Sequence, residues 1–380
     1  MAARGSEPDR REYSDKLIDK GVNTGLPLLS FNGKTTSFFE FWPVWLMYIP
    51  VVCYWLCLSL RFRSFGLPMV VNPNIELGGM VGESKHAIFR QGGNKLRKFV
   101  LPFIVVQPKP ELQDQQAKKL LYKAGQKGIA LPCVAKPDMG CRGRGVELIA
   151  SEQQLGDYIA RFDKNRTFLL QQLAPYAAEA GVFYVRYPNE ESGKVVSLAL
   201  KYRPTVVGDG EFTVNELIEQ HPRAHKLAKL HCDKNREILN TIPAKGEEVA
   251  LEFVASHCRG SIFRNGNEFI SAELQQVIDE LMKDLPNFHY GRLDIKFRDL
   301  NALQKGRDFH IVEINGASSE QAHIWDSRTG FWAAMSTLFG QYKMLFTMGN
   351  QMRSQGFKVP SAATLIKVWL RELGVKGDYL

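Results

Sequence analysis

The sequence predicts a chain of mixed α and β structure. Apolar runs short enough for strands alternate with segments of helical period between residues 101 and 325. One predicted strand pair closes on a glycine-rich basic turn, and twenty uncharged residues, 41–60, lie upstream of both.

Residues 1–36 are polar and mix both charges, as expected of a loosely docked leader. Residues 37–68 form an apolar segment centred on FWPVWLMYIPVVCYWLCLSL, 41–60. Twenty such residues match what a helix needs to cross a hydrocarbon core of about 30 Å, and Trp42, Trp45, Tyr48, Tyr54 and Trp55 suit the headgroup level. Pro43 and Pro50 would kink a helix or turn it back. Spanning, re-entrant and flat-lying arrangements all fit this stretch, and so does a buried core helix. It starts too far into the chain for a cleavable signal, and no small-residue cleavage site follows. Arg61 and Arg63 put the downstream chain on the cytoplasmic side if the segment meets a membrane.

Farther along, VVNPNIELGGMVGESK (70–85) is rich in turn residues and ends in Glu83, Ser84 and Lys85, which open a helix. LPFIVVQ (101–107) reads as a strand and PELQDQQAKKLLYKAGQKG (110–128) as a helix closed by glycine. Residues 132–135 and VELIA (146–150) read as two hairpin strands joined by DMGCRGRG. SEQQLGDYIARF is a helix with a serine cap, and FLLQQLA is a strand. GVFYVRYP (181–188) and KVVSLALKYRPTVV (194–207) form an antiparallel pair, and VGDGEFTVNELIEQHP supplies a turn, a threonine cap and a helix. After a helix over 272–285, GRLDIKFRDL and DFHIVEINGASSE are the last strand-like runs. Residues 326–380 read as helical, with Trp332, Phe339, Tyr342, Phe346 and Met348 on an apolar face suited to core packing or to membrane contact.

A length of 380 residues allows more than one packed unit, and 44% hydrophobic with 23% charged residues is ordinary globular composition. The net charge of +9 suits an anionic partner without choosing among nucleotide, nucleic acid and lipid. Basic residues are interspersed with acids rather than gathered with aromatics, so nucleic-acid binding has no specific support. Six cysteines, at 53, 57, 133, 141, 232 and 258, show no pairing framework and no CxxC, and read as free thiols of a reducing compartment.

Two stretches carry chemistry. In ALPCVAKPDMGCRGRGVELIA (130–150), Lys136 ends an apolar run before Gly140, Gly143 and Gly145. Such a turn lets backbone N–H groups converge on an anion while a lysine adds a point charge suited to phosphate. A solvated hairpin with ordinary turn glycines has the same pattern. In RLDIKF and HIVEIN, Glu313 and Asn315 are two apart on one strand and so face one side, and Asp294 on the other run supplies a further acid. Hard oxygens in that array suit magnesium held together with substrate phosphates.

The order of these parts, a strand lysine with a glycine-rich loop, the strand end FLLQQLAP, and the terminal LD and EIN elements, resembles the ATP-grasp superfamily over roughly residues 83–325. RPTVVGDGEFTVNELI (203–218) is similar to an element of the carboxylate–amine ligases within it. The resemblance implies an α+β fold in two lobes with ATP between them, preceded here by the apolar helical segment. With it the chain divides into a catalytic region over 69–325 and, from its own helical pattern, a C-terminal helical region over 326–380. Lys136 would meet the α and β phosphates, with Lys85 the candidate for a second phosphate lysine, and Gly140, Gly143 and Gly145 shaping the loop above them. Gln171, Gln172 and Leu173 would form the hinge against adenine, with Glu179 taking the ribose hydroxyls. Asp294, Glu313 and Asn315 would hold Mg2+ (or Mn2+), and Arg264, Arg292 and Arg203 are the candidates for steadying an acyl phosphate. Arg142 and Arg144 exceed the loop pattern, as extra phosphate contacts or as a basic rim toward an anionic membrane.

The activity implied is ATP-dependent joining of a small-molecule carboxylate and an amine, lipid-linked forms included, by a membrane-associated protein whose catalytic region faces the cytoplasm. A separate domain that usually precedes the grasp in soluble relatives is largely replaced by the apolar segment, and glutamine stands at the hinge where many members have glutamate. A nucleotide-binding scaffold within a membrane complex, and phosphoryl transfer to a non-carboxylate acceptor, are the alternative readings.

Overall fold

Alternating apolar residues, paired strand to strand, build two antiparallel sheets that helices cover. The computed structural model describes residues 21–29, 36–37, 39–40, 42–140 and 143–376. The helices are α1 (Val44–Phe62), α2 (Lys85–Gln91), α3 (Asn94–Arg97), α4 (Gln113–Gly125), α5 (Glu152–Arg161), α6 (Val214–Gln220), α7 (Ala228–Lys234), α8 (Ala272–Lys283), α9 (Leu300–Gln304), α10 (Phe331–Ser354) and α11 (Ala362–Lys376).

Strands β1 (Phe103–Val106), β2 (Cys133–Pro137), β3 (Glu147–Ile149) and β4 (Phe168–Gln172) form a four-stranded sheet in the order β1-β4-β2-β3. Its core joins Ile104, Cys133, Ala135 and Leu170 to Ala117 and Ala124 of α4 and to Leu155, Tyr158 and Ile159 of α5. The two alanines let α4 lie close, and Tyr158 fills the remaining space edge-on against Phe168, with ring centroids 5.0 Å apart. The expected serine cap of α5 is present: Ser151 Oγ accepts from the Gln154 N–H.

Strands β5 (Ala178–Val185), β6 (Lys194–Tyr202), β9 (Ile262–Asn265), β10 (Tyr290–Phe297) and β11 (Phe309–Asn315) form the second sheet, in the order β11-β10-β5-β6-β9. One face packs on Leu274, Ile278, Leu281 and Met282 of α8. Burial of each such side chain is worth up to about 1.5–3 kcal/mol. The other face carries the charged residues described below. Beside it, β7 (Thr205–Val207) and β8 (Glu248–Ala250) pair and pack with α6 and α7. The GDG phrase is the turn that starts this unit. Asp209 Oδ1 accepts from the N–H groups of Glu211 and Phe212, both at 2.9 Å. Thr213 and Glu216 then form a reciprocal capping box at the start of α6.

The apolar segment is a single helix. Pro43 stands at its N-cap and Pro50 sits inside it, so α1 neither breaks nor turns back at either proline. It runs parallel to α10. Met47 and Val51 cluster with Ala334, Met335 and Leu338, and the Trp55 ring stands 5.4 Å from both Tyr342 and Phe346. Of the aromatic face read in the C-terminal region, Phe339, Tyr342, Phe346 and Met348 belong to the packed interior, while Trp332 is 80% exposed. All five described cysteines are free, and Cys141 lies outside the described residues.

Candidate active site

A cavity of about 610 Å³ separates the two sheets. Its floor is the charged face of the five-stranded sheet, and the strand register explains its composition. Lys201 of β6, Glu179 of β5 and Lys296 of β10 are direct neighbours across three strands. Two residues along, Gly181 stands beside Asp294, which stands opposite Glu313 of β11. Two residues farther, Arg292 stands opposite Asn315. The period of two sends all of these side chains to one face. Gly181 leaves the gap that this row needs: a Cβ there would meet Arg292 Cδ at 3.0 Å and Asp294 Oδ1 at 3.4 Å.

The floor is a tight ion-pair network. Lys201 Nζ lies 3.1 Å from Glu179 Oε1 and 2.9 Å from Asp294 Oδ1, and Lys296 Nζ lies 2.9 Å from Glu179 Oε2. Arg292 Nε donates to Asp294 Oδ1 at 2.9 Å. Burial alone would raise both carboxyls, yet Lys296 and Lys201 hold Glu179 below its ordinary value, and Arg292 with Lys201 does the same to Asp294. Both stay ionised, so the floor keeps its negative charges in place.

The upper wall comes from the four-stranded sheet and the helix before it. Lys136 reaches across the cleft from β2, and its Nζ donates to the Val312 carbonyl at 2.7 Å. Burial pushes its ammonium down to about 8, with Glu313 opposing the shift. Lys85, at the start of α2, lies 3.3 Å from Glu313 Oε1 and donates to the carbonyls of Asp138 and Gly140. Burial would lower Lys85 too, but the Glu313 and Glu83 carboxylates outweigh it and raise its pKa. Two buried lysines thus stand together in the cleft, Lys85 paired with Glu313 and Lys136 bonded to the carbonyl of the residue before it.

The described part of the glycine loop borders the same cavity. Gly143 has φ +69°, and a Cβ there would meet Val254 Cγ1 at 2.7 Å, so only glycine fits both the turn and the contact. Gly140, Gly143 and Arg144 line the cavity, and Arg142 lies outside the described residues. At the far end of β4, Gln171, Gln172 and Leu173 also line it. Gln171 Nε2 donates to the Leu101 carbonyl, and Gln172 Oε1 accepts from the Ala130 N–H, which fixes both side chains against neighbouring backbone.

Among the three arginine candidates, Arg292 lines the cavity. Arg264 and Arg203 are not among its walls. Arg264 is turned to Asp326 at 3.3 Å and to Ser327, and Arg203 donates to the Val22 carbonyl. Asp294, Glu313 and the Asn315 amide form a hard-oxygen donor set, and the Asn315 Nδ2 end is buried without a partner. The oxygens are of the hard type that suits Mg2+, whereas the Nδ2 end is a donor and calls for an acceptor. Among the described residues no group of three or more His, Cys, Asp and Glu side chains stands at metal-binding spacing.

No family model matches the chain. Over 220 residues it is 25% identical to cyanophycin synthetase of Nostoc sp., a match covering 52% of this chain and 23% of that relative. The same protein of Trichormus variabilis is 24% identical over equal spans. Two antiparallel sheets with a charged cleft between them are the architecture that the resemblance to the ATP-grasp superfamily implies. The chain spans about a quarter of the length of those curated relatives. Among solved structures it is similar to a bifunctional glutathione synthetase from Pasteurella multocida (17% identity, 70% of this chain and 39% of that one, TM-score 0.35). It is also similar to the ATP-grasp ligase PsnB (15%, 68% and 60%, TM-score 0.34) and to the D-cycloserine synthetase DcsG (13%, 68% and 70%, TM-score 0.35).

The cleft also holds charged residues that no sequence motif marks. Lys201 and Lys296 looked like ordinary strand lysines; their alternation with apolar neighbours in SLALKY and LDIKF was the available signal. Glu83 lines the cavity next to Lys85, accepts from the Gly316 N–H at 2.8 Å, and is pushed up to about 7 by burial and by Glu313. Glu320 is raised to about 7 by burial, against a hydrogen bond from Trp325 Nε1. Trp42, Met47 and Tyr48 bring the apolar segment into the cavity wall, opposite Phe263 and near Trp325.

Proposed function

We propose that the chain is an ATP- and Mg2+-dependent carboxylate–amine ligase, ADP-forming, that works at the cytoplasmic face of a membrane on small-molecule substrates, lipid-linked ones included. One observation carries the reading. Asp294 faces Glu313 across β10 and β11, with Arg292 and Asn315 beside them and Lys85 and Lys136 opposite, all around one cleft between two sheets. Bare nucleotide binding needs fewer carboxylates than this floor offers.

ATP supplies the γ-phosphoryl group, and the metal offsets its charge. A substrate carboxylate oxygen bonds to the γ-phosphorus as the bond to ADP breaks, giving an acyl phosphate. An amine nitrogen then bonds to the acyl carbon, inorganic phosphate leaves with its electron pair, and the nitrogen gives up a proton. In this reading Lys136 and Lys85 bind the phosphate chain, and the loop of Gly140, Gly143 and Gly145 excludes water above it. Gln171, Gln172 and Leu173 bound the base and Glu179 the ribose end. Asp294, Glu313 and Asn315 hold the metal. Arg292 steadies the transferred phosphoryl, which favours it over Arg264 and Arg203. Lys201 positions Glu179 and Asp294.

The test is ADP release with panels of amino acids and amines. Lys136→Ala and Glu313→Ala are each expected to lower kcat/KM by on the order of 10²–10³. Undiminished turnover in either variant would sink the assignment. Tight ATP binding with no ADP across the panels would instead support the scaffold reading.

A further inference from the structure

Helix α1 has two unlike faces. Met47, Val51, Trp55 and Leu58 are buried against the protein. Trp45, Ile49, Val52, Leu56 and Leu60, spaced three and four apart along the other side, are between 49% and 80% exposed. That exposed stripe offers a partner no acid and no free hydroxyl. The helix contains no Asp or Glu, and Ser59 turns its hydroxyl back to the Trp55 carbonyl at 2.8 Å. Exposed Trp45 and Trp332 stand toward one end of the α1/α10 pair, and exposed Arg61 and Arg63 at the other. Apolar side chains framed by tryptophan and arginine, on a chain of net charge +9, complement an anionic lipid surface better than a second protein.

The ends of α1 fix its direction. Upstream, Asn23 Nδ2 donates to the Arg203 carbonyl at 3.2 Å, Tyr202 donates to the Pro27 carbonyl at 2.9 Å, and Glu40 forms a buried ion pair with Arg223. Downstream, Arg353 of α10 donates to the Phe62 carbonyl at 3.3 Å. Between them α10 is fastened to the sheet, with Gln341 Nε2 donating to Tyr290 Oη at 2.8 Å. Both ends of the helix therefore dock on one folded body. A helix across a slab of about 30 Å would put them on opposite sides.

We propose that α1 is an in-plane anchor that lies along one leaflet of an anionic phospholipid bilayer, its exposed stripe in the acyl boundary and its buried face in the protein. This deepens the membrane-surface part of the function proposed above and is independent of the ligation chemistry. Because Trp42, Met47 and Tyr48 line the cleft, the anchor sets the cleft wall at the lipid interface.

The experiment is flotation of the full chain with vesicles of phosphatidylcholine and phosphatidylglycerol at about 3:1. Wild-type protein is expected to float, and the double variant Ile49→Glu, Leu56→Glu to lose roughly ten-fold or more of the floated fraction while its thermal unfolding stays unchanged. Failure of the wild type to float, equal flotation of the variant, or self-association through this face without flotation would overturn the proposal. A protease site built around Leu28, which is 99% exposed upstream of α1, is expected to be cut on vesicle-bound protein from outside. Protection of that site would mean a spanning helix and would overturn the in-plane geometry. No substrate or nucleotide enters these assays, so a failure of the ligase reading leaves their outcome unchanged.

Discussion

Lys201 and Glu320 show how burial sets charge in this cleft in opposite senses. Lys201 has two carboxylates within 3.1 Å and remains an ammonium although burial works against it. Glu320 has one neutral donor, Trp325 Nε1 at 3.0 Å, and burial raises its carboxyl to about 7 from an ordinary 4.5. The raised value has a sign that can be checked. Between those two pH values the folded chain holds a proton that the unfolded chain has lost, so this group's contribution to stability is present in acid and declines as pH rises to about 7. Glu320→Gln keeps an acceptor for Trp325 and removes the titration. Urea unfolding at about pH 5 and pH 8 is therefore expected to show a smaller loss of stability across that interval in the variant than in the wild type. Equal losses would mean that Glu320 is ionised throughout. That Glu313 and Asn315 share a face was legible from their spacing of two along a strand, while the roles of Lys136 and Asp294 came only through the family resemblance. Lys201, Lys296 and Glu320 were not legible, since a strand lysine or a loop glutamate declares itself only through a partner far away in the chain.

At the scale of elements, capping and alternation read well and helix faces read poorly. Ser84, Ser151, Thr213 and Ser271 each accept from the N–H three residues on, and the caps before α5 and α6 were visible in advance. The hairpin of β2 and β3, and the pairs β5/β6 and β10/β11, likewise follow from runs of alternating residues. Helix α1 is apolar on every side, so composition could not say which side meets protein. The structure divides it: Trp55 is wedged between Tyr342 and Phe346, whereas Leu56, the next residue, is half exposed. Trp55→Ala is expected to cost about 3–5 kcal/mol, and Leu56→Ala less than about 1 kcal/mol, in chemical denaturation. Comparable costs at the two positions would mean that the division of faces is wrong.

Across the whole molecule, the cleft depends on contacts that no local pattern encodes. The Lys136 ammonium meets the carbonyl of Val312, 176 residues away, and Glu40 meets Arg223 across 183 residues. These links join the two sheets and tie the apolar segment to the unit built by the GDG turn, where a resemblance in sequence gives the fold and leaves the cavity wall undetermined. A nucleotide held between the sheets should brace both. Mg2+ and ATP at about 100 times their dissociation constant are expected to add about 2.7 kcal/mol to unfolding stability, seen as a rise in Tm, and Lys136→Ala should abolish the rise. A rise undiminished in that variant would place the nucleotide elsewhere.

The central claim is that the cleft activates a carboxylate. Once an ADP-releasing pair of substrates is found, the direct test is turnover of the carboxylate labelled with 18O in both oxygens, with the released phosphate read by mass spectrometry. The account predicts one 18O in each phosphate, carried over when the acyl phosphate gives up its acyl group to the amine. Unlabelled phosphate alongside product would contradict it.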